Sequence, residues 1–282
     1  MRSIAELESD IGIMRTRIEA CKKIEREYSG YVSSFLQPDS YEELSDLPPR
    51  IIWSCWLQGM DSAPPLVKAC HHELSRRFKD FEHITITQEN MSRYISIKGA
   101  IMDKWLAGII SNTAFSNLIR LQLLEKYGGI WFDAIVLCTS EQLPEYITSN
   151  PFFAFSSWKW ITGDVRTLST WLMASCKYHP LIRAVNAGIT KYWLDHDSLY
   201  DYFICHFFFR TAITICPSLW KNVPRISNVP PHLMQFELGE KYNPVRFSEL
   251  CGLSSVHKLT YRLHEDILVS NDTVYAHIIN LC

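Results

Sequence analysis

A chain of 282 residues with 47% hydrophobic and 21% charged side chains is long enough to bury a full core as one large domain, which argues against extended disorder. The formal net charge of −2, with no basic run along the chain, excludes general nucleic-acid binding. Nine cysteines lie singly with no Cys-x-x-Cys pair, which suits reduced, mostly buried thiols and speaks against a disulfide framework or a zinc ribbon.

The first residues, Met1 to Glu6, carry no apolar signal core, and no run of eighteen apolar residues exists, so the expectation is a cytoplasmic protein without a membrane span. Ile4, Leu7, Ile11, Met14, Ile18 and Cys21 recur at spacings of three and four, a heptad seam over about three repeats. That seam reads equally as a coiled-coil homodimer contact or as a helix lying on its own domain. Ser29-Gly30 is expected to end the helix, and Gln37-Pro38-Asp39-Ser40 through Asp46-Leu47-Pro48-Pro49 reads as a linker. Residues 1–47 are thus expected to form a helical extension, and 48–282 the main domain.

Arg50 to Trp56 is a short apolar run after two prolines, a first strand. Pro64-Pro65-Leu66 opens a helix to about Phe78, and Glu82 to Thr87 alternates like a second strand, giving a β-α-β order consistent with a mostly parallel sheet. Trp105 and Ile109-Ile110 lead into the most informative stretch, Ala114 to Ala134. It reads as an amphipathic helix stopped by Gly128-Gly129, then a short apolar strand, Ile130-Trp131-Phe132, ending on Asp133. Asn117 and Arg120 lie three apart and share one helix face, so both can point at one ligand. The glycine pair supplies a left-handed residue for the turn, and Asp133 falls at the carboxyl end of a buried strand, where open α/β sheets keep their ligand crevice. The strand is expected to run on from Asp133 to Cys138, with Pro144 closing its loop.

Beyond Pro151 the chain is rich in aromatics: Phe152, Phe153, Phe155, Trp158, Trp160 and Trp171. With Gly163-Asp164 they read either as a platform for a sugar ring or, for most of them, as core under a long loop. A helix is expected from His179-Pro180 to Trp193. Tyr200 to Arg210 is apolar almost all round and predicts a buried helix, in which Asp201 and His206 need partners; Asp201 at its start reads as an N-terminal cap.

The pattern small-x-Ser-Asn-hydrophobic-hydrophobic-Arg at Ala114 to Arg120, followed by Gly-Gly-hydrophobic-aromatic-hydrophobic-Asp at Gly128 to Asp133, resembles nucleotide-sugar glycosyltransferases of the GT-A fold. Within them it is most similar to the capsular polysaccharide synthesis group, related to the Och1-like mannosyltransferases and the glucosylating clostridial toxins. The resemblance spans roughly Pro49 to Arg262, although its specific motifs fill only two short stretches. It departs from the wider group twice: Asn117 stands where Asp is common, and Asp133-Ala134-Ile135 keeps only the first carboxylate of an Asp-x-Asp motif.

What the resemblance implies is a GT-A α/β fold with a Rossmann-like, mostly parallel sheet, and a retaining hexosyltransferase that uses a nucleotide-sugar donor and a divalent cation, Mn²⁺ or Mg²⁺. The first strand resembles the group's Pro-(Lys/Arg)-Ile-Ile opening, which implies that Trp56 or Gln58 meets the nucleotide. Leu168 to Ser175 resembles the strand after the acceptor loop, where Ser169, Thr170 and Ala174 would let a sugar approach. Gly252 to Arg262 resembles the closing His-Lys-Leu-(Thr/Ser)-(Tyr/Trp)-Lys, which implies His257 as a metal ligand beside Asp133 and Lys258 or Arg262 as a phosphate contact. Arg120 and Asn117 would orient the donor, and Asp201 would face the sugar if it does not cap its helix. The acceptor would be a glycan or lipid-linked oligosaccharide, met at the inner face of the plasma membrane by peripheral association. Two other readings stand beside this one: a nucleotide-sugar-binding protein without turnover, and an effector that glycosylates a protein.

Overall fold

The computed structural model describes residues 3–36, 44, 46–157 and 165–281, without the Leu7 side chain. Trp158, Trp160, Gly163 and Asp164 of the aromatic-rich loop, and Gln37 to Ser40 of the linker, lie outside the described residues. The fold is mixed α/β. Its central sheet takes strands β1 (Ile51–Cys55), β2 (Glu82–Ile86), β3 (Gly129–Phe132), β5 (Phe152–Ser156) and β6 (Leu168–Ser175) in the order β2-β1-β3-β6-β5. Strands β2, β1 and β3 pair in parallel, and only β6 runs against its neighbours. A second sheet joins β4 (Val136–Cys138) to β7 (Val256–Lys258) antiparallel.

The helices longer than one turn that matter here are α1 (Ile4–Ser33), α2 (Pro65–Arg77), α3 (Gly99–Leu106), α4 (Asn112–Tyr127), α5 (Pro180–Asp195), α6 (Ile204–Ile215) and α7 (Pro244–Leu253). One core forms between the sheet and helices α4, α5 and α6, with Phe115, Leu121, Trp193 and Phe208 fully buried in it. A smaller one fills the opposite sheet face around Ile130, Phe132, Phe153 and Phe155. Phe152, Phe153, Phe155 and Trp171 are therefore core residues, because β5 and β6 are covered on both faces and their side chains have no route to solvent.

Helix α1 opens with a capping box, in which Ser3 Oγ accepts from the Glu6 amide and Glu6 bonds back to the Ser3 amide. It continues past Gly30 to Ser33, since an exposed glycine weakens a helix without stopping it while Val32 packs in the core beyond. The heptad seam is split between two environments. Cys21 is buried, together with Ala20, Ile24, Tyr28 and Val32 further along, and this half of the helix lies on α5 and α6. Ile4 and Ile11, with exposures of 76% and 50%, stand clear of the domain.

The expected single strand from Asp133 to Cys138 is instead interrupted. Asp133 still donates its amide to the Trp171 carbonyl (2.8 Å), but Ala134 and Ile135 leave the sheet and the chain re-enters as β4 beside β7. The turn that launches β3 depends on the glycine pair: Gly128 and Gly129 have φ of 66° and 96°. A Cβ on Gly129 would meet the Ile51 carbonyl oxygen at 2.6 Å, a backbone atom of the paired strand that cannot yield. The Gly129→Ala substitution is expected to destabilise the fold by roughly 2–5 kcal/mol, combining left-handed strain with overpacking. Urea denaturation checks this, and a loss below about 1 kcal/mol would show that the hinge tolerates a side chain.

Candidate active site

A crevice of about 400 Å³ opens at the carboxyl ends of β1 and β3, where parallel strands leave a gap that side chains from several elements can line. Cys55, Trp56 and Gln58 follow β1, Trp131, Asp133 and Ala134 come from the end of β3, Thr170 from β6, and Lys258 to Arg262 from β7 and the chain after it. The first turns of α4 line the crevice from Ser111 to Asn117, so the positive pole of its dipole lies beside it, with the Ala114 amide already taken by the Ser111 hydroxyl.

Asp133 is the centre of the charge arrangement. Its Oδ1 accepts from Arg120 Nη2 (2.8 Å) and from Trp131 Nε1 (2.9 Å), while Oδ2 faces Lys258 Nζ at 3.1 Å. Arg120 is held by a second bond, from Nη1 to the Thr170 carbonyl (2.9 Å), and its guanidinium lies 4.9 Å from the Trp131 ring centroid. Burial pushes the Asp133 carboxyl up, but the charges of Lys258 and Arg120, with the hydrogen bonds from Trp131 and Lys258, outweigh it and hold the group below its ordinary value.

Lys258 reaches this point because β7 pairs with β4. Val136 sits opposite Lys258, and the Leu259 amide donates to the Ile135 carbonyl (2.9 Å), so the register fixes the lysine stem beside the strand that carries Asp133. Successive strand residues face opposite ways, which sends His257 to the other side. His257 is buried, with Nε2 and the Thr139 hydroxyl 3.2 Å apart, and it is not among the residues lining the crevice. The expectation that His257 and Asp133 ligate one ion is corrected accordingly: adjacent residues of one strand cannot both meet Asp133.

Asp201 is also not part of the crevice wall. Its Oδ1 accepts the Phe203 amide (2.7 Å) and its Oδ2 lies 3.7 Å from Arg17 Nε, so it caps the turn before α6 and ties α1 to it. Of the three small β6 residues only Thr170 lines the crevice; Ser169 accepts from Asn228 Nδ2 and Ala174 is fully buried. The structure brings Asn117, Arg120, Asp133, Trp56, Gln58, Lys258 and Arg262 around one cavity. Sequence reasoning missed Tyr261, which meets Trp56 edge-on with centroids 5.8 Å apart, and the placement of His206, whose Nε2 lies 3.4 Å from the Thr170 hydroxyl. Tyr261 stood inside the closing motif, but β7 ends at Lys258 and the chain after it lines the crevice without alternation, so no local pattern marked it.

A divalent cation does not fit the described donor set. Asp133 is the only carboxylate among the described residues lining the crevice, both its oxygens face cationic nitrogens, and no group of three metal-ligating side chains exists among the described residues. No helix among the described residues is long and apolar enough to cross a membrane. Every described cysteine is a free thiol.

Fold and crevice together define a mixed α/β protein with an anion-receptive pocket at its strand ends. The family described as capsular polysaccharide synthesis protein matches residues 9–278, and the chain belongs to it. Comparison with curated proteins gives no match. Among solved structures, one titled PaToxG Glycosyltransferase aligns over 95% of this chain and 98% of that chain, with 15% sequence identity and a TM-score of 0.46.

Burial pushes His257 down to about 4 from 6.5, so it is neutral in the fold. A histidine whose folded pKa lies below its unfolded one supports the fold fully above the unfolded value and loses that support as pH falls toward the folded value. His257 is therefore expected to withdraw up to roughly 3 kcal/mol of stability between pH 6.5 and 4, from about 1.4 kcal/mol per pH unit. His257→Gln should flatten that acid limb in denaturant titrations while leaving ligand binding unchanged; a loss of ligand affinity would instead return His257 to the site.

Proposed function

We propose that this protein is a GT-A-type glycosyltransferase that moves a hexose from a nucleotide-sugar donor to a glycan or lipid-linked oligosaccharide in capsular polysaccharide synthesis. One observation carries the reading: Arg120, Lys258 and Arg262 line the same crevice as a single carboxylate, beneath the amino end of α4. Three cations against one carboxylate leave a surplus of two positive charges, which suits a diphosphate diester bearing one negative charge on each phosphate. Membership of the capsular polysaccharide synthesis family supports the same reading.

In the transfer, the bond from the anomeric carbon to the diphosphate oxygen breaks with its electron pair staying on that oxygen, and an acceptor hydroxyl forms the new glycosidic bond and releases its proton to solvent. The nucleoside diphosphate leaves with added negative charge, which Lys258 and Arg262 are placed to meet. Trp56 and Tyr261 offer ring surface for the base, Asn117 offers a partner for sugar hydroxyls, and Tyr202 and Leu199 give the wall an apolar surface for an acceptor ring. Retention of anomeric configuration is part of the proposal through the family resemblance.

The test is a panel of UDP-, GDP-, dTDP- and CMP-sugars, scored first for saturable thermal stabilisation and then for release of the nucleotide in the presence of oligosaccharide acceptors. One donor should stabilise the protein and turn over. Stabilisation without turnover on any acceptor would favour a binding protein, and neither would remove the donor reading. Asn117→Ala, at a half-buried wall position, should lower turnover about tenfold or more with little change in melting temperature. Unchanged turnover would take Asn117 out of the donor site.

A further inference from the structure

The described donor set disagrees with the divalent cation that the resemblance implies, and that disagreement has a constructive side. Asp133 Oδ1 already receives two donors, one of them from a guanidinium that is itself pinned to the Thr170 carbonyl and only 6% exposed. Arg120 is thereby held on that oxygen from two sides. The other oxygen is met by Lys258, delivered by the β4–β7 register and 18% exposed, so its ammonium borders the crevice. The positions that would supply a second carboxylate carry Ala134 and Ile135, whose side chains ligate nothing.

We infer that Lys258, with Arg262, takes the place of a divalent cation: the two side chains neutralise the donor's diphosphate directly, and Asp133 serves to hold Lys258 at the crevice wall. The inference rests on the nucleotide-donor reading above. A lysine suits this role because its ammonium is a point charge with three donors on a long stem, able to follow the phosphate as charge builds on the departing oxygen. Asp133 is then a positioning residue. It pairs with Arg120 on its inner side and orients the ammonium on its outer side, in the way a second carboxylate would orient a metal.

The experiment is isothermal titration of UDP, GDP, dTDP and inorganic pyrophosphate into the full-length protein, once with EDTA and once with Mn²⁺. At least one nucleoside diphosphate is expected to bind in EDTA with an affinity within about threefold of that in Mn²⁺, since the cations are built in. Lys258→Met, which keeps the apolar stem, should weaken binding in EDTA about tenfold or more, and added Mn²⁺ should not restore it. Arg262→Ala, at an exposed position where folding is not at issue, should shift affinity in the same direction. Binding seen only with Mn²⁺ and abolished by EDTA would overturn the inference while leaving the nucleotide donor in place. Binding of no nucleoside diphosphate under either condition would overturn both.

Discussion

The arrangement that the rest of the site depends on is a row of three charges, Arg120, Asp133 and Lys258, drawn from a helix, the end of a central strand and a strand of the second sheet. None of the three can be placed without the others. A guanidinium buried under β6 needs an anion, because a lone buried charge is far more costly than the same charge in a pair, and truncating one partner of such a pair typically costs about 3–5 kcal/mol. Asp133 supplies the anion and is itself kept ionised by its two neighbours. The carboxylate therefore has a structural duty that precedes any contact with ligand: it satisfies a buried guanidinium on its inner side and holds the Lys258 ammonium on the side that borders the crevice.

The placement of the carboxylate is inherited from the backbone. The glycine hinge sets where β3 begins, the four buried residues of β3 set where it ends, and pairing with β1 on one side and β6 on the other fixes its height in the sheet. Trp53 adds a side-chain tie by donating from Nε1 to the Gly128 carbonyl (2.8 Å). Asp133 is thus delivered by a strand with almost no freedom to shift, and Lys258 by a three-residue strand of the second sheet whose first two residues are buried.

Much of this was legible in the sequence, and the reasons are local. The helix, the double glycine and the short apolar strand each carry their own signal within a few residues, so the positions of Asn117, Arg120 and Asp133 followed from spacing alone. The β-α-β order from Arg50 to Thr87 was legible for the same reason. What stayed hidden was set by partners distant in the chain. Nothing near Val136 announces that it will pair with Lys258, and until that register is known the parity of β7 is unknown, so which of His257 and Lys258 faces Asp133 stays open. Asp201 divides the same way: its cap to the Phe203 amide is local and was legible, whereas its ion pair with Arg17 comes from the N-terminal helix. The seam of α1 marked a helix face correctly as apolar, yet could not say that α5 and α6 would cover only its second half.

Charge is the property for which a whole-chain reading and the local one differ most. Summed over 282 residues the protein is weakly acidic, with a formal net charge of −2. Yet the crevice holds a surplus of two positive charges, because the acidic residues that dominate the total are spread over the exterior, including the first turns of α1. At physiological ionic strength exposed charges are screened beyond about 8 Å, so remote carboxylates contribute little to the potential inside the cavity, whereas Arg120 and Lys258 act there through partly desolvated surroundings. The character of the pocket is therefore decided by a handful of side chains, and the net charge of the chain describes the rest of the surface.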